Sequence, residues 1–328
     1  MTGTYRAAVC TALDGPTAIE CRMLEAPPLG PNDIRIAVRA AGANFPDLLM
    51  TRGGYQFRPD PPFVPGMEVA GDVLEVGSAI TAFKAGDRVM GQCRLGGFAE
   101  QAIVTTEGIM PLPPALTYEE GAAWFVAATT AWHALNDKGQ VKPGETLLVL
   151  GASGGVGMAA VQLGKHMGAK VIGLASNDDK VAALLKAGAD HAFRNDTPDL
   201  VDAIKAATGG KGVDIVYDPV GGPLAITATR TLGWGGRFLI VGFASGEIPK
   251  FPANHALIKS YTIMGLRAGE SARRDPELGR RNRAALVDLA NKGVMRPMIS
   301  HRFPLEQAGD ALRVLENREV IGRAVVTP

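Results

Sequence analysis

Apolar residues follow two different rhythms along this chain. Up to about residue 125 the runs are short and alternate with polar side chains, as in Ile34-Arg-Ile-Ala-Val-Arg39, the two-residue period of half-buried strands. Glycine and proline clusters punctuate them at 26–31, 59–62, 65–66 and 111–114. Val69–Val76, Asp87–Met90 and Gly97–Val104 read as successive strands of a compact barrel, and Asn44–Met50 as a helical piece. From Tyr118 the texture changes. Glu119–Leu135 is rich in small residues and reads as one or two helices, and Thr146–Leu150 is unbroken apolar, as a strand buried on both faces would be. Strand and helix patterns then alternate: a helix opening at Met158, a strand Lys170–Ala175, a helix Lys180–Lys186, a strand Val213–Tyr217, a helix Leu224–Leu232 and a strand Gly236–Gly242. Such alternation predicts an α/β fold with a doubly wound parallel sheet. Beyond Gly265 come an arginine-rich helix, Arg280–Asn291, an extended piece at Ser300–Pro304, a helix Leu305–Glu316 and a final strand Gly322–Thr327.

Between the apolar run and the next helix lies a glycine-rich turn. Ala152, Gly154 and Gly157 occupy the three small-residue slots of a dinucleotide-binding turn, with Gly155 and Val156 between them. The first slot permits a tight turn, the second lets backbone N–H groups approach a pyrophosphate, and the third lets helix pack on strand. Phosphates would then sit at a helix N-terminus, where free N–H groups and the dipole favour anions.

Composition narrows the function classes. The 328 residues are 46% hydrophobic and carry a formal net charge of +1, enough for two domains and no signal for disorder or a polyanion partner. The amino-terminal segment lacks a signal-peptide pattern, and no apolar stretch is long enough to span a bilayer. Cys10, Cys21 and Cys93 are scattered without Cys-x-x-Cys spacing. That argues against a zinc lobe or a disulfide framework and leads us to expect a cytoplasmic protein with neither nucleic-acid nor membrane partners.

Seven motifs together resemble the zinc-free, quinone oxidoreductase (zeta-crystallin-like) group of the medium-chain dehydrogenase/reductase superfamily. They are AGANFPD (41–47), PFVPGMEVAGDVLEVG (62–77), GDRVMG (86–91), GGFAEQAIV (96–104), TTAWHAL (129–135), LGASGGVG (150–157) and YDPVGG (217–222). The resemblance covers nearly the whole chain. It implies a GroES-like β-barrel catalytic domain at 1–125, to which 266–328 returns, and a Rossmann NADPH-binding domain at 126–265, with the active site in the cleft between them. It also leaves room for a homodimer.

Zinc-dependent relatives place a cysteine and a histidine where this chain has Asn44 and Met67, so the resemblance implies that no metal takes part. An amide and a thioether make poor ligands for a catalytic zinc. Glu68 is expected to be a hydrogen-bonded acceptor inside the barrel. By the same resemblance Asn44, Asp47 and Tyr55 line the catalytic cleft, although Asp47 also suits a local backbone cap and Tyr55 simple packing. The nicotinamide end is expected beside Gly242, Phe243 and Arg267, with Arg318 and Arg323 as basic residues near the cofactor. His133 is read as a packing residue.

The strand that would contact the adenosine ribose, Val171–Ala175, ends in Ser176 rather than in the Asp or Glu that accepts ribose hydroxyls in NAD-preferring folds. Lys180 follows one helical turn later, with Arg194 a weaker third contact and Asn195 where relatives often carry an adenine-side tyrosine. The expected cofactor is therefore NADPH. The expected reaction is hydride transfer to a small-molecule acceptor, a quinone or an α,β-unsaturated carbonyl compound. Two alternatives stand beside it. One is enoyl-CoA reduction, suggested by the arginines between Arg267 and Arg283. The other is a non-catalytic NADPH-binding structural protein.

Overall fold

The computed structural model describes residues 3–328, which divide into two compact units, one running to Val126 and resuming at Pro297–Pro328, the other comprising Ala127–Arg296. The first unit opens with an antiparallel pair, β1 (Thr4–Cys10) and β2 (Ile19–Glu25), joined through a short 3-10 turn. Then follow β3 (Asp33–Ala43), α1 (Phe45–Thr51), β4 (Glu68–Val76), β5 (Arg88–Gln92), β6 (Gln101–Thr105), β7 (Ile109–Pro111) and α2 (Tyr118–Ala122). In β3 Ile34, Ile36 and Val38 are buried among Val69, Val73, Val89 and Phe98 and Arg39 faces outward, but Arg35 departs from the alternation: it is buried and donates to Glu75 Oε1 (2.6 Å) and the Pro27 carbonyl (2.5 Å). Gly71 of β4 faces β3 so closely that a Cβ would stand 1.9 Å from the Ala37 carbonyl oxygen, so only glycine allows this strand pair.

α3 (Phe125–Trp132) starts two residues before the second unit and continues within it as one π-helical turn, His133–Lys138. Strands and helices then alternate: β8 (Thr146–Val149), α4 (Gly155–His166), β9 (Lys170–Ala175), α5 (Asp178–Lys186), β10 (His191–Arg194), α6 (Leu200–Ala207), β11 (Val213–Asp218), α7 (Gly222–Thr229), β12 (Leu232–Ile240), α8 (Ala253–Lys259), β13 (Thr262–Gly265), α9 (Ala268–Arg274) and α10 (Pro276–Asn291). All six strands are parallel in the order β10-β9-β8-β11-β12-β13. The order reverses between β8 and β11, the switch point at which open α/β sheets bind ligands beyond the carboxyl ends of their strands. Leu147, Leu148 and Val149 are fully buried, which explains why β8 reads as an unbroken apolar run.

The chain then returns to the first unit as β14 (Ile299–Pro304), a 3-10 turn, α11 (Ala308–Glu316) and β15 (Arg323–Thr327). β15 pairs antiparallel with β3, completing a sheet in the order β14-β15-β3-β4-β5-β7 with β6 also on β3.

The return begins at Pro297 rather than at residue 266. Residues 266–296 stay with the parallel sheet because Trp132 Nε1 donates to Asn282 Oδ1 (3.1 Å) and Gln162 exchanges hydrogen bonds with the Arg296 backbone (2.9 and 3.1 Å). The expected helix Leu224–Leu232 stops at Thr229, since Leu232 is already paired with Val213 in the sheet. No helix of the described residues is long and apolar enough to cross a membrane.

Candidate active site

In the first unit the polar residues at the start of α1, β4 and β15 meet in one buried cluster. Asn44 precedes α1, and Asp47 is the helix's third residue. The Asp47 carboxylate accepts the Asn44 N–H on Oδ2 and the Gly66 N–H on Oδ1, both at 3.0 Å, and so ties the start of α1 to the segment entering β4. Glu68 accepts the Val126 N–H (2.9 Å), the Asn44 amide (3.2 Å) and the Arg323 guanidinium (2.5 Å). Asn44 also donates to the Gly42 carbonyl (3.1 Å), while its Oδ1 accepts from Arg323 (2.8 Å). Asp47 and Glu68 are fully buried, and Asn44 and Arg323 nearly so.

Burial dominates the electrostatics here. It pushes Asp47 up to about 7 against the pull of its two N–H donors and of Arg323. It raises Glu68 as well, opposed chiefly by the Arg323 charge. The neighbouring Cys93 thiol, which donates to the Gly66 carbonyl at 3.2 Å, is pushed up to about 12 by the same desolvation and is not a thiolate nucleophile.

Glu68 thus has the acceptor role expected of it. Asp47 serves as the local backbone brace. Both Asn44 amide donors are committed to protein acceptors, so Asn44 is a bonded member of this cluster. Tyr55 is half-buried and packs with Phe57 and Leu95 against Cys10, Met50 and Phe63. Met67 is half-buried and its carbonyl accepts the Cys93 N–H. Arg318 lies in this unit too, as Arg323 does, exposed just past α11 with φ +60°, whereas the other expected cofactor residues belong to the second unit.

In the second unit the glycine-rich turn is pinned from both sides at the switch point. Leu150 N–H donates to Tyr217 of β11 (3.0 Å) and Ala152 N–H to Leu174 of β9 (2.9 Å). At Gly157 a Cβ would stand 2.5 Å from the Gly151 carbonyl and 2.7 Å from Ala152 Cα, the close helix–strand contact anticipated for the third slot. At Gly154 the nearest atom to a Cβ is 3.6 Å away, so the protein itself does not require glycine there. Gly154 precedes α4, whose first turn, Gly155, Val156 and Gly157, has no side-chain cap. Thr117, Asn177 and Asp275 cap α2, α5 and α10 through their side chains, whereas α6, α7, α8, α9 and α11 lack a side-chain cap as α4 does. The leading N–H groups of α4 are left over by the helix.

The carboxyl ends of β9 and β10 bring together most of the residues expected at the ribose. Ser176 follows β9 and is exposed, and Asn195 N–H donates to Ala175 O (2.8 Å). Lys180 sits in the first turn of α5, its N–H held by the Asn177 cap (3.0 Å), and only 6% of it is exposed, so it is not an ordinary surface lysine. Arg194 is held by Asp196 (2.6 Å) and by Asp178 (3.4 Å), which divert it from a phosphate. At the end of β12, Val241 and Gly242 donate to the Asp218 carbonyl (2.8 and 3.3 Å), and Phe243 follows, partly exposed. Arg267 is exposed immediately before α9.

The pattern of single positions did not point to two further groups. The fully buried Asp218 closes β11 with Oδ1 on the Val220 and Gly221 N–H groups, while burial raises its carboxyl. His133 is buried between Asp137 (Nδ1 to Oδ2, 2.8 Å) and Ser271 (Nε2 to Oγ, 3.2 Å), and Asp137 also accepts from Asn282 (2.6 Å) and Asn136 (2.9 Å). The i,i+4 spacing of His133 and Asp137 on a helix was the one local signal for this group. Among the described residues no group of three or more His, Cys, Asp or Glu side chains is placed to hold a metal ion.

Residues 30–114 match the alcohol dehydrogenase GroES-like domain family and residues 155–280 the zinc-binding dehydrogenase family. Quinone oxidoreductase-like protein 2 homolog of Nematostella vectensis is 35% identical over 326 residues, covering 98% of this chain and 89% of that protein. The rat quinone oxidoreductase-like protein 2 is 34% identical, covering 98% and 92%. Among solved structures, the Escherichia coli quinone oxidoreductase complexed with NADPH is 30% identical and aligns with a TM-score of 0.89, covering 99% of this chain and 100% of that one. A probable oxidoreductase of Mycobacterium abscessus aligns with a TM-score of 0.90 at 37% identity, covering both chains fully. A chain that matches quinone oxidoreductase-like proteins over nearly its whole length belongs with them: it is an oxidoreductase of the medium-chain dehydrogenase/reductase superfamily.

Proposed function

We propose that this oxidoreductase is NADPH-dependent and metal-independent, and that it reduces a quinone or an α,β-unsaturated carbonyl compound. The observation that carries the reading is the uncapped start of α4 behind Gly154, with the buried Lys180 just past the end of the neighbouring strand. These residues fit a dinucleotide phosphate group. Gly155, Val156 and Gly157 would face the pyrophosphate with backbone N–H groups, and Ser176 with Lys180 would hold the 2′-phosphate. When bound, NADPH supplies a hydride to an electron-poor carbon or oxygen. The protein supplies alignment, and hydrogen-bond donors for the oxyanion that develops on the acceptor.

A catalytic zinc does not fit the residues at its family position. Met67 offers a thioether, Asn44 Oδ1 is bonded to the Arg323 guanidinium, and Glu68 carries the same guanidinium on Oε2. A dication would meet a fixed positive charge amid weak donors. Metal independence is therefore part of the proposal. Purified protein dialysed against a strong chelator should keep its activity and its unfolding midpoint.

The arginine cluster gives little support to acyl-CoA reduction. Glu270 pairs with both Arg273 (2.6 Å) and Arg274 (2.8 Å), and Arg281 leans toward Asp137 at 3.9 Å. A homodimer is supported by β13, an edge strand paired only with β12, with Ile263 partly exposed and Leu257 and Ile258 of α8 largely so. Pairing two copies of this edge about a twofold axis would cover both. Sedimentation equilibrium should give twice the chain mass, and Ile263→Lys a monomer.

The deciding assay is NADPH oxidation with a panel of quinones, enones, enals and enoyl thioesters. Turnover with a quinone or enone supports the reading. NADPH binding without turnover of any acceptor would instead make the chain a binding protein.

A further inference from the structure

The polar chain through His133 begins at a half-buried hydroxyl, Ser271 Oγ, passes through a buried imidazole and ends on a buried carboxylate, Asp137. Its members come from two elements 138 residues apart in sequence, α9 and the π-helical turn. One-turn π-helices are uncommon and concentrate at functional sites. The turn packs beside β12: a Cβ on Gly139 would stand 3.1 Å from Leu239 Cδ1. α9 leaves directly from the carboxyl end of β13, where Gly265 pairs with Ile240 of β12. Ser271 thus follows β13 by six residues, on the chain that leaves the carboxyl end of the parallel sheet, the end at whose switch point ligands of this fold bind. Burial acts against ionisation of Asp137, yet hydrogen bonds from His133, Asn136 and Asn282 outweigh it and hold its carboxyl below the usual range. The charged groups facing the chain are Asp137 itself and, from α10, Arg281.

We propose that Ser271, His133 and Asp137 form the proton relay of the reduction, with Ser271 delivering the proton to the acceptor. This rests on the hydride-transfer reading above. Reduction adds one hydride from the nicotinamide cofactor and one proton to the acceptor. Ser271 Oγ gives its proton to the developing oxyanion and takes one from His133 Nε2, breaking that N–H bond as the new O–H bond forms. His133 keeps its Nδ1–H on Asp137, and solvent returns to Nε2 the proton it has passed on. Ser271 is the catalytic residue, while Asp137 and Asn282 are positioning residues that orient the imidazole. An acyl-transfer role fits less well, because the Ser271 N–H is committed to the Arg267 carbonyl at 2.8 Å and is not available to an oxyanion.

The test compares wild type, Ser271→Ala, Ser271→Thr and His133→Gln in NADPH oxidation with the best acceptor of the panel, alongside NADPH affinity measured by fluorescence titration. Ser271→Ala should lower kcat about 100-fold, the low end of general acid–base contributions, with NADPH affinity unchanged within about twofold. Ser271→Thr, which keeps a hydroxyl, should restore most of the loss. An unchanged kcat in Ser271→Ala overturns the relay, as does a parallel loss of NADPH affinity and kcat, which is what a structural role would produce. Ester hydrolysis by wild type that disappears in Ser271→Ala would replace the relay by acyl transfer. His133→Gln should lose kcat to a similar degree; if that buried substitution prevents folding, Ser271→Ala, at a half-buried position, decides the matter alone. A wild type inactive with every acceptor defeats the hydride-transfer reading, whereas an active wild type with an indifferent Ser271→Ala defeats only the relay.

Discussion

Two polar regions of this molecule handle their hydrogen-bonding groups in opposite ways. In the barrel unit, Asn44, Asp47, Glu68 and Arg323 answer one another and the nearby backbone, so that among their side-chain nitrogen and oxygen atoms only Arg323 Nε is buried without a partner. In the Rossmann unit the glycine-rich turn leaves its helix uncapped and leaves room at Gly154 that no protein atom fills. A region closed on itself spends its polar groups on holding the fold, and one left open keeps them for a ligand. Changes in the first should therefore be read in stability, and changes in the second in binding.

The sharpest way to break the closed region is Arg323→Met. It leaves Glu68 buried beside no cation and should cost about 3–5 kcal/mol of stability in urea unfolding. Adding Glu68→Gln to the same chain should recover much of that loss, because the stranded charge is then gone. A small loss in the single variant would mean that water or a rearranged partner already serves Glu68.

Asp47 gives the closed region a pH signature of similar size. Its carboxyl is raised from 3.8 to about 7 by burial. Between those values the folded chain holds a proton that the unfolded chain has released, so stability falls as pH rises from about 4 to 7 and is level above. The full difference is on the order of 4 kcal/mol. Asp47→Asn should remove this slope, so the gap between wild type and variant should narrow or reverse across that window. Parallel curves for the two proteins would show that the two N–H donors and Arg323 keep Asp47 ionised throughout.

How much of this was legible beforehand follows from sequence distance. The turn at 150–157 and the strands around it are local patterns, and the βα alternation fixes the sheet's neighbours within tens of residues. The replacement of metal ligands at Asn44 and Met67 is also a matter of single positions. The closing of Asn44 onto Arg323 joins residues 279 apart, and Ser271 meets His133 across 138, so no local pattern exposed either contact. Arg194 shows the same limit on a smaller scale. Its place beside the end of β9 was readable, but its pairing with Asp196 and Asp178 depends on rotamers that spacing does not determine. That 266–296 stays with the parallel sheet is hidden from local patterns for a related reason, since Asn282 and Arg296 are anchored by Trp132 and Gln162 far upstream.

In the open region, Lys180→Ala should weaken NADPH binding by about tenfold or more while NADH binding changes little, since a charge-assisted phosphate contact is worth about 1.5–3 kcal/mol. Because Lys180 is nearly buried, its stem also packs, and Lys180→Met preserves that packing while removing the charge. Equal losses for NADPH and NADH in both variants would assign Lys180 to packing.

Gly154→Ala tests the contrast most directly, though its effect is the smallest. The backbone at Gly154 is extended, with φ −81° and ψ 171°, which alanine adopts without strain. The added Cβ would have 3.6 Å to its nearest protein neighbour, an ordinary van der Waals distance. Alanine is a poorer residue than glycine at a helix N-cap, so stability should fall by about 1 kcal/mol at most. The same methyl group would occupy space that the second slot keeps clear for a pyrophosphate, and NADPH affinity should fall about tenfold, or about 1.4 kcal/mol. Gly157→Ala is the reference, because its Cβ would strike the Gly151 carbonyl at 2.5 Å and should damage folding along with binding. Isothermal titration beside urea unfolding separates the two variants. If Gly154→Ala binds NADPH as tightly as wild type, the room at this position is not kept for the cofactor, and the open region loses the feature that most distinguishes it from the closed one.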